Sequence, residues 1–213
     1  MRGVEPDEGK LIIHFDAEEP GLLAGIVDQL AELLTDRDLI ATPMDHDASS
    51  SDDDRLGEKP VADPFAQWEA EFSLESQTVE SLGEGEGDDP EEIDPVIRRL
   101  FPDAYPDDPA ASHDFRRFTQ AQQRSLKVAD AHVVVNDLQH TDRRGRCTVP
   151  QAHVTAWLKT LTNVRLALAV RLDITDEISA DEAAQRPETD PRSWLYEVYA
   201  WTGWLQELVL EAL

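Results

Sequence analysis

Residues 9–34 read GKLIIHFDAEEPGLLAGIVDQLAELL, and two patterns follow one another inside this stretch. Leu11, Ile13 and Phe15 alternate with Ile12 and His14, which places them on one face of a short strand. From Leu22 the period changes. Leu22, Leu23, Ile26, Val27, Leu30, Leu33 and Leu34 line one flank of a helix. Asp16 followed by Glu19 resembles a capping box with Asp in the Ser/Thr role, and the Asp-Ala-Glu-Glu turn complements the helix dipole. Residues 145–172, GRCTVPQAHVTAWLKTLTNVRLALAVRL, repeat the plan. Gly145 precedes a strand with Cys147 and Val149 on one face. The helix after it carries Val154, Trp157, Leu158, Leu161, Val164, Leu168 and Leu172 on its apolar side.

A buried lone strand leaves its backbone donors and acceptors unsatisfied, so residues 11–15 and 146–149 are expected to pair. That pairing brings the two following helices close together. Two copies do not make a solenoid. The fold class that results is mainly α, a helical bundle with a small two-stranded β ribbon.

The remaining helices announce their starts. Asp94-Pro95, Asp108-Pro109 and Asp190-Pro191 each offer an N-cap followed by Pro at the first helical position. Thr119 and Gln122 fit a further cap, which leaves residues 109–139 open as two helices or one bent helix. In the last helix Trp194, Val198, Trp201, Leu205, Leu208 and Ala212 form a stripe that Leu195, Thr202 and Val209 widen. Glu197, Glu207 and Glu211 exclude a membrane span there. Two readings remain for residues 191–213, a core helix or the seam of a homodimer.

Charge divides the chain sharply. The 213 residues hold 45 Asp+Glu against 19 Lys+Arg, a formal net charge of −26. Such a field opposes a protein coated by nucleic acid or anionic lipid. Residues 43–94 alone carry 2 basic and 18 acidic side chains, while residues 98–171 carry 12 basic and 7 acidic. The acidic stretch is rich in Asp, Glu, Ser and Gly and is expected to be a largely disordered insert, residues 43–92, in a single domain. Inside it Phe65, Trp68 and Phe72 fall on one stripe if helical. They fit either a short helix folded back on the core or a segment that folds on a partner's groove. The insert is also a candidate mask for the basic middle of the chain.

A single cysteine rules out an internal disulfide framework and suits a reducing compartment. No apolar signal region opens the chain and no uncharged apolar run of about 18 residues occurs, so the expected location is the cytoplasm, without a membrane anchor. No catalytic motif is present, no catalytic residue is assigned, and no cofactor is expected. His140, Asp142, Cys147 and His153 lie close in sequence, but a strand and a helix start intervene, so no metal is expected there. Cys147 reads as a small buried hydrophobe. Asp107-Asp108 and Asp176-Glu177 read as caps and surface turns.

The basic minority supplies a candidate binding face. Arg117, Arg124 and Lys127 share one helix face, with Arg116 adjacent. On this reading Phe118, Leu126, Ala129 and Val133 line the buried side. The loop of Asp142, Arg143, Arg144, Gly145 and Arg146 adds three arginines just before the ribbon. A helix with a wing-like turn is one way to grip phosphate, and an ordinary solvated face is the other reading.

Residues 98–105, RRLFPDAY, then Asp108-Pro109 and Phe115-Arg116-Arg117, resemble an actinobacterial family of domains of unknown function. Residues 163–168, NVRLAL, and 199–207, YAWTGWLQE, look like its other signatures. The resemblance implies a cytoplasmic helical protein, often encoded beside the Clp protease adaptor and sometimes labelled a candidate transcriptional regulator. It carries over no catalytic residue. Locally, Pro102-Asp103-Ala104-Tyr105-Pro106 reads as a rigid helix connection with Tyr105 as its anchor. Arg98, Arg99, Arg116 and Arg117 are expected to pair with Asp103, Asp107 and Asp108, or to stay free for a ligand. The expected function is a non-enzymatic regulatory or adaptor-type protein acting through a protein partner. A DNA-binding regulator using the Arg116–Lys127 face is the alternative, and an uncatalogued enzyme is the third.

Overall fold

A computed structural model describes residues 2–35 and 94–213. The expected acidic insert, residues 43–92 with Phe65, Trp68 and Phe72, lies outside the described residues. The elements run β1 (Gly3–Asp7), β2 (Lys10–His14), α1 (Glu19–Thr35), α2 (Pro95–Leu100) and α3 (Pro109–Gln139). Then come β3 (Arg146–Pro150), α4 (Val154–Arg171), α5 (Glu177–Ala184) and α6 (Ser193–Glu211).

The expected ribbon forms. β2 and β3 pair antiparallel, with Leu11 opposite Val149 and Ile13 opposite Cys147. All four side chains are buried, as is Phe15, so the register lines up one apolar face. The sheet is larger than expected by one strand. β1 pairs antiparallel with β2 through a tight hairpin at Glu8-Gly9, both with positive φ, 37° and 82°. That geometry suits the right-handed twist of the flanking strands. Pro6 is tolerated because β1 is an edge strand.

Gly145 locks the ribbon to the end of β2. Its φ is +78°, and its carbonyl accepts the Phe15 N–H at 2.8 Å. A Cβ at this position would lie 2.1 Å from the Phe15 carbonyl oxygen. Only glycine fits there.

Helix starts follow the sequence signals in most places. Asp94 accepts the Val96 N–H at 2.7 Å, and its other oxygen accepts Arg171 Nη2 at 2.8 Å, tying the start of α2 to the end of α4. Asp108 accepts the Ala111 N–H at 3.0 Å. Glu19 accepts the Asp16 N–H at 2.7 Å, one half of the expected capping box. Asp176 and Ser179 form a full capping box at α5. Residues 109–139 are one helix: the Thr119 hydroxyl donates back to the Phe115 carbonyl at 2.8 Å instead of opening a second helix. At the last helix, Asp190 accepts the Arg192 N–H at 2.8 Å within a turn, and α6 begins only at Ser193.

α4 is the centre of the bundle and packs against α1, α2, α3 and α6, while α1 packs chiefly on α3. Trp157 and Leu161 on α4 are fully buried. The buried face of α6 is Leu195, Val198, Thr202, Leu205 and Val209, so Trp194, Trp201 and Leu208 flank it rather than centre it. Most of the face expected as a homodimer seam is thus turned toward α4. None of the described helices is long and apolar enough to cross a membrane.

Candidate functional site: cations on the long helix

The core side of α3 is set by Ala131, Val134, Val135 and Leu138, and one to two turns earlier the same side carries Arg124 and Lys127. The helix is therefore turned over relative to the sequence expectation. Arg124 is 7% exposed, whereas Phe118 is 80% and Leu126 60% exposed. Ala129 is also exposed and Val133 is half-buried, so the four do not line the buried side.

Phe101, at the end of α2, explains how two cations come to face inward. The Arg124 guanidinium carbon lies 5.3 Å from the centre of its ring and Lys127 Nζ 5.6 Å. Both cations are drawn to the negative face of the ring. Arg124 Nη1 reaches the Leu34 carbonyl at 3.4 Å, near the negative end of α1. Lys127 Nζ donates to Asn163 Oδ1 on α4 at 2.7 Å. Burial pushes both pKa values down, and for Lys127 nearby Asp130 opposes that shift. These are cations of the helix interface, with their stems packed and their charges held locally.

The remaining sequence-selected cations are dispersed. Arg116 pairs with Asp103, as the ion-pair reading expects. Arg117 lies on the same helix between Arg116 and Phe118. Arg98 and Arg99 are exposed at the end of α2. In the turn before β3, Asp142 accepts the N–H groups of Arg144 at 2.8 Å and Arg146 at 3.0 Å, and Arg146 Nε at 2.8 Å. The backbone bond from Arg146 leads in holding the Asp142 carboxyl down at about 2. Arg143 and Arg144 remain exposed. That turn follows the C-terminal end of α3, while Arg116 sits near its N-terminal end. At 1.5 Å per residue the separation along the helix is about 35 Å. The helix-and-wing surface does not assemble.

Ser112 and Asp137 make contacts that the sequence pattern does not signal. Ser112, buried, accepts the Tyr105 N–H at 3.0 Å and donates to the Tyr105 carbonyl at 2.7 Å. This fastens the Pro102–Pro106 connection through its backbone, while the Tyr105 ring stays half-exposed and meets Phe115 edge-on at 6.1 Å. Asp137, buried at the end of α3, accepts Trp157 Nε1 at 2.9 Å and pairs with His153 Nδ1 at 2.9 Å. Cys147 Sγ donates to the Asp137 carbonyl oxygen at 3.4 Å, and burial pushes its thiol up to about 12. His140 Nδ1 turns instead to the Asn136 carbonyl, 2.6 Å away. Among the described residues no group of three or more His, Cys, Asp or Glu converges to hold a metal.

The two later signature stretches meet where α4 crosses α6. The Arg165 guanidinium lies 5.2 Å from the Tyr199 ring centre and donates to Gln206 at 3.1 Å. Gln206 donates in turn to Thr162 at 2.8 Å. Gly203 leaves room for Arg165, whose guanidinium carbon lies 3.2 Å from where a Cβ would stand. Together with Lys127–Asn163, these residues join α3, α4 and α6.

Sequence comparison finds similarity to the protein called AosR in Mycobacterium leprae, 33% identical over 153 residues, covering 65% of this chain and 66% of that protein. The proteins named oxidative stress regulator AosR in Mycobacterium bovis and Mycobacterium tuberculosis are each 33% identical over 132 residues, covering 56% of this chain and 58% of theirs. The match thus spans somewhat less than two thirds of these relatives. No solved structure matches the chain. The model of the family described as domain of unknown function (DUF2017) matches residues 1–213, and the chain belongs to that family.

Proposed function

We propose that this chain is a non-enzymatic regulatory protein of the cytoplasm that acts through contacts with a protein partner. The observation that carries this reading is the inward direction of Arg124 and Lys127. Both are engaged by Phe101 and by helix-interface acceptors, so they are withdrawn from phosphate. A net charge of −26 further opposes a polyanion ligand. The names of the relatives support a regulatory role in oxidative stress. Cys147 is buried with its thiol held protonated, which favours a signal arriving through a partner rather than through this thiol.

The test pairs two assays on the full chain. Capture from native lysate, with and without residues 43–90, should retain a specific protein. Titration of duplex DNA across salt should give only weak binding without sequence preference. Tight, sequence-selective DNA binding that is lost on reversing the exposed Arg143 and Arg144 would overturn the proposal in favour of a DNA-binding regulator.

A further inference from the structure

Residues 172–213 carry 10 acidic and 2 basic side chains. Both cations are engaged locally: Arg192 pairs with Asp173 at 2.9 Å, and Arg186 donates to the Leu172 carbonyl at 3.2 Å. Glu177, Asp181 and Glu182 on α5 and Glu197, Glu207 and Glu211 on α6 are all exposed. Among the described residues none of these six forms an ion pair with Lys or Arg. Glu177 with Asp181, and Glu207 with Glu211, stand one helical turn apart, a spacing at which like charges repel.

On α6 these acids surround an exposed aromatic ring. Trp204 is 44% exposed, and Ile178 and Leu210 are exposed on the same two helices, which pack against each other. At 3.6 residues per turn Glu197, Ala200, Glu207 and Glu211 all fall within about 60° of Trp204. An indole face attracts Lys or Arg more strongly than any other side-chain ring, and the carboxylates around this one act in the same direction. A tryptophan with a charged surround is also the kind of anchor on which protein interfaces concentrate their binding energy.

We propose that the outer face of α6, centred on Trp204, docks a cationic amphipathic helix of a protein partner, one that brings Lys or Arg together with apolar side chains. Charge selects this occupant. A second copy of the chain would set Glu197, Glu207 and Glu211 against their own counterparts, and nucleic acid or anionic lipid carries the same sign as the face. A cationic helix relieves the Glu207–Glu211 repulsion and covers the indole in one step. The inference rests on the regulatory reading above and names the chemistry of its partner.

The test is an anisotropy titration of the full chain with a labelled amphipathic helical peptide of leucine and lysine, at about 0.15 M salt. The peptide should bind, and Trp204→Ala and Glu207→Lys/Glu211→Lys should each weaken it about tenfold or more. Asp52→Lys/Asp53→Lys makes the same change of net charge in the acidic stretch and should weaken it far less. Helical circular dichroism should be unchanged in every variant, since the replaced α6 side chains are exposed. Absence of binding overturns the proposal, as do indifference to Trp204→Ala and equal weakening by the two lysine pairs, which would reduce the binding to net charge. Capture from native lysate separates this inference from the reading beneath it. A specific protein held equally by wild type and Trp204→Ala overturns this face and leaves the regulatory reading standing, whereas a wild type that holds no protein counts against the regulatory reading, with the peptide titration still deciding the face.

Discussion

Replacing Gly145 with alanine tests the ribbon at its tightest point. Two costs are legible in the geometry. At φ +78° an L-residue loses about 1–2 kcal/mol against its ordinary conformations. The new Cβ also meets the Phe15 carbonyl oxygen at 2.1 Å, so the backbone must separate by more than an ångström. That movement breaks the Phe15 N–H bond to Gly145, a loss of roughly 0.5–1.5 kcal/mol, and displaces Phe15, which is buried under the sheet. Alanine restricts the unfolded chain and returns about 0.4–1 kcal/mol. These terms sum to a destabilisation of about 0.5–3 kcal/mol, to which the displacement of Phe15 adds, measured by urea unfolding at fixed protein concentration. Gly21→Ala is the matched control. Gly21 lies in α1 with open space around its Cβ position, and alanine there should stabilise by about 0.5–1 kcal/mol. A Gly145→Ala variant within about 0.5 kcal/mol of wild type would refute the docking of β3 on Phe15.

Two further predictions concern titrating groups. The thiol of Cys147 is buried and raised to about 12, so native protein at pH 8 should resist alkylation and react only on unfolding. Rapid labelling of the native chain would show that the cysteine is accessible. Asp142 is depressed from 3.8 to about 2, so its contribution is present above the unfolded value and lost as pH falls through about 2. Carboxyl NMR should show that low midpoint, and Asp142→Asn should remove this part of the acid dependence; a midpoint near 3.8 would mean the Asp142–Arg146 bonds are not formed in solution.

Much of this architecture is readable from residues alone, for physical reasons that also mark where reading stops. The alternation of Leu11, Ile13 and Phe15, with Cys147 and Val149, was enough to pair β2 with β3, because unpaired strands are costly when buried. β1 escaped because Gly3–Asp7 has a single large apolar residue, Val4, and contains Pro6; the only signal was the Glu8-Gly9 turn ahead of a strand. The orientation of α3 was misread because hydrophobicity favours a face with Phe118, Leu126 and Val133. Phe101 lies in a different helix, and its attraction for Arg124 and Lys127 leaves no trace in local periodicity. Ser112 and Asp137 were missed for a related reason: each serves a partner that only the tertiary fold brings near.

Arg124 belongs to the core of the bundle, and reversing its charge is the sharpest probe of that placement. Urea unfolding of Arg124→Glu at fixed concentration reads the outcome. A carboxylate beside the Phe101 ring and the Leu34 carbonyl would lose both attractions, and Lys127 on the same ring offsets only part of its burial, so the expected loss is about 1–3 kcal/mol. A change within about 0.5 kcal/mol, as expected for a solvated surface position, would contradict it and return Arg124 to an outward binding face.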